Sequence, residues 1–263
     1  MRPRLIPVLL LSRRKVVKTL RFEDPKYIGD PVNIVRIFNG KEVDEIVILD
    51  IDATREKRVP DFRHLAEIAG ECFMPMAYGG GLRSLDDMKQ AFRAGVEKVV
   101  LNTAAVEHPD LVTAAAQRFG SQSVVVSLDF RTTEGMARVA TISGSRDTSR
   151  DPVSAARHME HSGAGEIILT SIDRDGSMSG YDLEMTRAVA NSIDIPLIAC
   201  GGAGSLDDCA RVVKEAGAAA AAAGSFFIFC GNRDAILVTY PDSEDLKRIG
   251  LIEDENNSAR RNI

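Results

Sequence analysis

Two glycine-rich turns carry the clearest chemical signal in this chain. Tyr78-Gly79-Gly80-Gly81-Leu82-Arg83-Ser84 and Cys200-Gly201-Gly202-Ala203-Gly204-Ser205 each follow an apolar run and open an amphipathic one. Where Cβ is missing, backbone N–H groups can approach an anion closely, and a helix beginning there adds the positive end of its dipole. A single turn of this kind reads equally well as steric, because tight strand-to-helix loops need glycine for shape alone. Two at matching places read better as phosphate cups. Each is followed one apolar run later by a small polar pair, Asn102-Thr103 in the first case and Gly224-Ser225 in the second. The expected contacts are therefore Gly80, Gly81, Asn102 and Thr103 in one cup, and Gly201, Gly202, Gly224 and Ser225 in the other. Their expected ligand is a small molecule with two phosphates.

Other chemistries find less support. Cys72, Cys200, Cys209 and Cys230 lack C-x-x-C spacing, which points to buried free thiols and to neither a zinc site nor a disulfide framework. His158 and His161 stand three apart, but Arg157 and Glu160 beside them make a solvated helix face the simpler reading, so no metal is expected. Nothing in the pattern calls for a cofactor. A net charge of −5 argues against a nucleic-acid surface, and 27 % charged with 44 % hydrophobic residues describes an ordinary globule. The apolar runs at 5–11 and ending at 229 are too short to span a bilayer, so no membrane role and a cytoplasmic location are expected.

The turns have to be held by a repeated framework. Asp30-Pro31-Val32 returns as Asp151-Pro152-Val153, Glu45-Ile46-Val47 as Glu166-Ile167-Ile168, and Ser84-Leu85-Asp86-Asp87 as Ser205-Leu206-Asp207-Asp208, every pair 121 residues apart. A constant offset over this span means two copies of one half-domain. Apolar runs alternating with amphipathic stretches predict strands at 5–11, 45–51, 74–78, 98–102, 124–129, 166–171, 196–200 and 219–223. Such an order specifies an α/β fold, a single (β/α)8 TIM barrel built from two half-barrel repeats. The alanines of the last run favour helix by propensity, and only their place in the repeat makes them a strand. Residues 1–241 form the barrel in this reading. Residues 242–263, polar and without apolar period at their end, are expected to be a flexible tail.

Gly120-Ser121-Gln122-Ser123-Val124-Val125-Val126, the run from Gly163 through Asp173-Arg174-Asp175-Gly176, and Gly201-Gly202-Ala203-Gly204 resemble the cyclase subunit of imidazole glycerol phosphate synthase, and the resemblance extends from Arg4 to about Phe229. It adds Asp175 and Gly176 to the phosphate-binding set. It also implies a glutaminase partner (a glutamine amidotransferase subunit) whose ammonia enters the barrel and meets a bis-phosphorylated ribonucleotide at the far end. The family closes its ring with two aspartates. Asp129 matches the second, whereas the family's Ile-Pro-Cys-Leu-Asp-Val stretch reads Ile6-Pro7-Val8-Leu9-Leu10-Leu11 here, so Leu10 stands in place of the first. Leucine neither gives nor takes a proton, and a positioned acid or base is commonly worth about 10²–10⁴ in rate. Asp129 alone reads as a surviving catalytic group, a binding group or a satisfied polar strand end. The family's ammonia gate is matched in full, as Arg4, Glu45, Lys98 and Glu166, although charges at a barrel's bottom rim also serve simply to close the core.

A divergent branch of that family, with Leu-Leu-Leu in the first strand and a shortened end after Tyr-Pro, here Tyr240-Pro241, combines these features. It is associated with amidation of sugars for surface polysaccharides such as lipopolysaccharide, a glutaminase supplying ammonia to a separate ATP-dependent sugar amidotransferase. The resemblance implies that role for this chain. The alternatives are an authentic lyase-type cyclase of histidine biosynthesis and a non-catalytic scaffold that binds a phosphorylated ligand.

Overall fold

Each half of the repeat contributes four strands to one closed parallel sheet. In the computed structural model, which describes residues 3–230 and 235–252, the first half supplies β1 (Arg4–Ser12), β2 (Ile46–Asp50), β3 (Met76–Gly79) and β4 (Lys98–Leu101). The second supplies β5 (Val124–Thr133), β6 (Glu166–Ser171), β7 (Leu197–Cys200) and β8 (Ala220–Ala223). Each strand pairs with the next, and β8 returns to β1 from Arg4↔Ala220 to Pro7↔Ala223. The expected TIM barrel is the fold observed.

Outside the sheet lie α1 (Pro31–Asn39), α2 (Phe62–Ala69), α3 (Leu85–Arg93), α4 (Thr103–Glu107), α5 (Pro109–Phe119), α6 (Pro152–His161), α7 (Leu183–Ala190) and α8 (Leu206–Lys214). The repeated tripeptides are their start signals. Asp30 and Asp151 cap α1 and α6 by accepting from the N–H groups of Asn33 and Ser154 at 3.0 Å, each with proline in the first turn. Ser84 and Ser205 do the same for α3 and α8, accepting from Asp87 and Asp208 at 3.1 Å. A cap of this type is worth about 1 kcal/mol, so the repeat preserves what starts its helices. His158 and His161 are both exposed on α6, as a solvated face requires. Of the cysteines, Cys209 is fully buried, while Cys72 and Cys200 are only partly so.

The alanines of β8 show tertiary packing overriding propensity. Ala220, Ala221 and Ala222 have no exposed surface between β1 and β7; larger side chains would overfill the barrel at Ala220 and Ala222 and crowd the helix-side core at Ala221. Inside the sheet Ile6, Val8, Val47, Ala77, Val100, Val125, Ile168, Ile198, Ala220 and Ala222 form an apolar interior distinct from the sheet-to-helix core.

Three features depart from the expected pattern. β1 runs into an antiparallel hairpin, Lys15–Leu20 with Glu23–Gly29, through a tight turn at Arg13 and Arg14, which take left-handed φ values of 48° and 65°. Turns of this type normally advertise themselves with Asn or Gly. Likewise β5 extends to Thr133 and pairs antiparallel with Met136–Thr141. Thirdly, the segment expected to fray from Asp242 contains a capped helix, α9 (Ser243–Arg248), with Leu246, Ile249 and Leu251 buried in the core and the Lys214 ammonium donating to the Ile249 carbonyl at 2.6 Å. Three apolar side chains in so short a stretch set no readable period. The remainder of that tail, 253–263, lies outside the described residues.

Candidate functional site

At the C-terminal ends of the strands the βα loops surround a cavity, the usual site position in this architecture. Gly80, Gly81, Asn102 and Thr103 all line it, so the first expected cup comes together. Gly80 sits at φ 111°, and a Cβ there would collide with the Asp50 carbonyl, so glycine is required sterically as well. Of the second cup, Gly224, Ser225 and Asp175 line the cavity, but Gly176, Gly201 and Gly202 do not. Gly202 instead packs on the Met178–Gly180 turn, its carbonyl accepting from the Gly180 N–H at 2.7 Å, where a Cβ would strike the Gly180 carbonyl. Close backbone packing therefore requires glycine at 202, as it does at Gly80.

Asp129 lies on the cavity wall, 9 % exposed. It accepts from the Ser127 hydroxyl at 3.0 Å and from the Asn102 amide at 3.1 Å. Burial pushes its carboxyl up to about 6, with the Ser127 and Thr170 hydroxyls pulling the other way. Leu10 lines the same cavity. Sheet register fixes the meaning of its position: Leu10 pairs with Leu49 and Asp129 with Thr170, and positions 49 and 170 are 121 residues apart. Leu10 thus occupies in the first half the place that Asp129 occupies in the second. Asp50 also reaches the cavity, but its Oδ1 is held by the Arg58 guanidinium at 2.7 Å and the Asp52 and Ala53 N–H groups at 3.1 Å, which spends it on the loop.

Lys18 was not foreseen. The hairpin after β1 folds over the mouth and delivers Lys18, Thr19 and Phe22 to the cavity. The Lys18 ammonium, 4 % exposed, donates to the Val8 carbonyl at 2.5 Å and abuts Gly224, where any side chain would displace it. Burial pushes its amine down to about 8, with Asp175 opposing. Asp175 in turn accepts from Thr19 Oγ1 at 3.0 Å, and burial holds its carboxyl above the ordinary range against that bond and Lys18. In Lys15-Val16-Val17-Lys18-Thr19 nothing but the fold distinguishes the lysine that turns inward from the one left outside.

At the other end, Arg4, Glu45, Lys98 and Glu166 close into a ring. Arg4 reaches Glu45 at 2.5 Å and Glu166 at 2.6 Å, while Lys98 reaches Glu45 at 3.0 Å and Glu166 at 2.7 Å. Cation and carboxylate alternate, and all four side chains are at most 21 % exposed. Each precedes by two an interior residue, Ile6, Val47, Val100 or Ile168, and period two along a strand keeps them on the inner face. Ring, apolar interior and cavity therefore lie in line along the barrel.

Sequence comparison decides the lineage. Residues 4–232 match the histidine biosynthesis protein family. The chain belongs to that family. Within it the relatives are HisF proteins. One from Pseudomonas aeruginosa, named "Putative imidazole glycerol phosphate synthase subunit hisF2", is 48 % identical over 246 residues, covering 93 % of this chain and 98 % of that protein. A HisF protein of Leptospira interrogans whose name carries the same qualifier is 42 % identical over 247 residues, 93 % of this chain and 97 % of its own length. The imidazole glycerol phosphate synthase subunit HisF of Alkaliphilus metalliredigens is 43 % identical over 225 residues, 85 % and 89 % of the two chains. The chain is a HisF-like cyclase-subunit homologue. Among the described residues, no helix is long and apolar enough to cross a membrane.

Proposed function

We propose that this HisF-like subunit receives ammonia from a glutaminase partner and passes it through the barrel without cyclising a ribonucleotide, serving amidation of a sugar in surface polysaccharide biosynthesis. The observation that carries the reading is the pairing of an intact charged ring with an incomplete acid pair. Arg4, Glu45, Lys98 and Glu166 retain every ion pair of the ring, whereas Leu10 leaves Asp129 without a symmetric partner.

Neutral ammonia is suited to this barrel and ammonium is not. Taking an unpaired cation from water into the apolar interior costs several kcal/mol, whereas NH3 carries no such penalty. The ring is the last charged layer before that interior, so a proton left there stays with side chains already paired. At the mouth Gly80, Gly81, Asn102, Thr103, Gly224, Ser225 and Lys18 offer N–H groups, hydroxyls and a cation to a phosphorylated ligand. Asp129, its carboxyl pushed up to about 6, exchanges a proton near neutrality, and Leu10 stands where the second acid of a two-proton ring closure would be.

The test is reconstitution. The chain, the glutaminase and the ATP-dependent sugar amidotransferase of the same organism are combined with glutamine, ATP and an acetamido sugar, and acetamidino product is followed by mass spectrometry. Product that needs this chain with glutamine, but not with added ammonium, is the expected result. Product formed equally well from glutamine without the chain would remove the proposed role.

A further inference from the structure

Phe73 is 84 % exposed, more than any other large apolar side chain among the described residues, and it stands on the ring side of the barrel. Its loop joins α2 to β3, so it opens at the N-terminal ends of the strands. Two residues further on, the Pro75 carbonyl accepts from the Ile46 N–H at 2.9 Å, which places this loop against the strand start that carries Glu45.

An exposed aromatic on a loose loop needs no explanation, but this loop is built. The Phe73 N–H donates to Asn39 Oδ1 at 3.0 Å, and the same amide donates back to the Glu71 carbonyl at 2.5 Å. Glu71 is clamped by both arms of Arg36 at 2.9 and 2.7 Å. Met74, the next residue, is buried in the core. The backbone is therefore fixed on both sides of a ring that contributes little to the fold. Ordering costs have been met before any partner arrives, a property of interface anchors.

We propose that Phe73 is the aromatic anchor by which this chain docks its glutaminase subunit, inserting into an apolar socket beside that subunit's ammonia outlet. The inference rests on the glutaminase reading above and goes further by assigning the contact. The four charges of the ring neutralise one another, so the ring itself gives a partner no net charge to hold. An apolar contact adjoining it supplies the missing affinity. The clamped Arg36–Glu71 pair, with exposed Lys41 and Glu42 at the end of α1, forms the polar rim that such anchors require.

The experiment is titration of the full-length chain with the purified glutaminase subunit of the same organism, using wild type, Phe73→Leu and Phe73→Asp, with melting temperature and sedimentation recorded for each. Phe73→Asp is expected to weaken binding at least about tenfold and Phe73→Leu by less, with melting unchanged because the ring makes no buried contact. Wild-type affinity in Phe73→Asp would overturn the anchor while leaving the glutaminase reading in place. Failure of the wild-type chain to bind would overturn both. Loss of self-association in Phe73→Asp, with glutaminase binding unaltered, would assign the residue to a second copy of this chain and overturn the proposal.

Discussion

Asp129→Asn should stabilise this protein, and by more at alkaline than at acid pH. Asp129 is 9 % exposed and burial pushes its carboxyl up from 3.8 to about 6. A group that holds its proton more tightly when folded contributes its full stability below the unfolded value, and that contribution is lost as pH rises through the folded one. At pH 8 the native state carries a buried carboxylate at a cost of about 3 kcal/mol, and at pH 5, where most of the native carboxyl is protonated, the cost falls to roughly half of that. The amide that replaces the carboxyl carries no charge at either pH. Any cost of misplacing its NH2 against Ser127 or Thr170 is the same in both buffers, so the difference between them isolates the charge. Urea denaturation of wild type and variant at pH 5 and pH 8 gives the four free energies. The variant is expected to gain on the order of 1 kcal/mol more at pH 8 than at pH 5. An equal effect at both values, or a larger gain at pH 5, would refute the argument that Asp129 is a desolvated carboxyl of raised proton affinity.

Lys18→Met should show the opposite pH trend, because the folded amine is pushed down to about 8: the variant gains about 3 kcal/mol at pH 7 and about half of that at pH 9.5, read by the same denaturation, while inorganic phosphate binding at the mouth weakens in calorimetry. Lys98→Ala strips one cation from Glu45 and Glu166, and loss of one partner in a largely buried set costs on the order of 3 kcal/mol. In the reconstituted system it should lower glutamine-dependent amidation more than ammonium-driven amidation, with Arg13→Ala as a control for general charge loss. Equal losses would make the ring a closure of the barrel only.

Legibility followed the repeat. The barrel and the helix starts are readable because each is fixed by local patterning at an offset of 121, and even the alanines of β8 take their place from it, whereas of the ring only Glu45 and Glu166 are repeat mates and the set of four comes from the family resemblance. Leu10 is readable only beside the family's Ile-Pro-Cys-Leu-Asp-Val stretch, where the resemblance implies an acid at that place. Lys18 was not, since its inward turn depends on a hairpin whose Arg13-Arg14 corner carries no glycine. Gly201 and Gly202 are hard to read for a related reason: one residue type serves both anion approach and tight backbone packing, and the Gly180 contact shows the second of these at Gly202. Phe73 was silent because exposure is set by what lies above a residue, which period and composition do not encode.

The most direct measurement of the central claim is turnover of the family's bis-phosphorylated ribonucleotide by the purified chain in ammonium salts, which removes any dependence on a glutaminase and reports on the mouth alone. With Leu10 facing the cavity in the acid's place, cyclisation is expected to fall below that of an ordinary cyclase by the about 10²–10⁴ that a positioned acid or base supplies. Turnover within about tenfold of an ordinary cyclase would show that Asp129 suffices alone, and would contradict the claim that this barrel passes ammonia on without closing a ring.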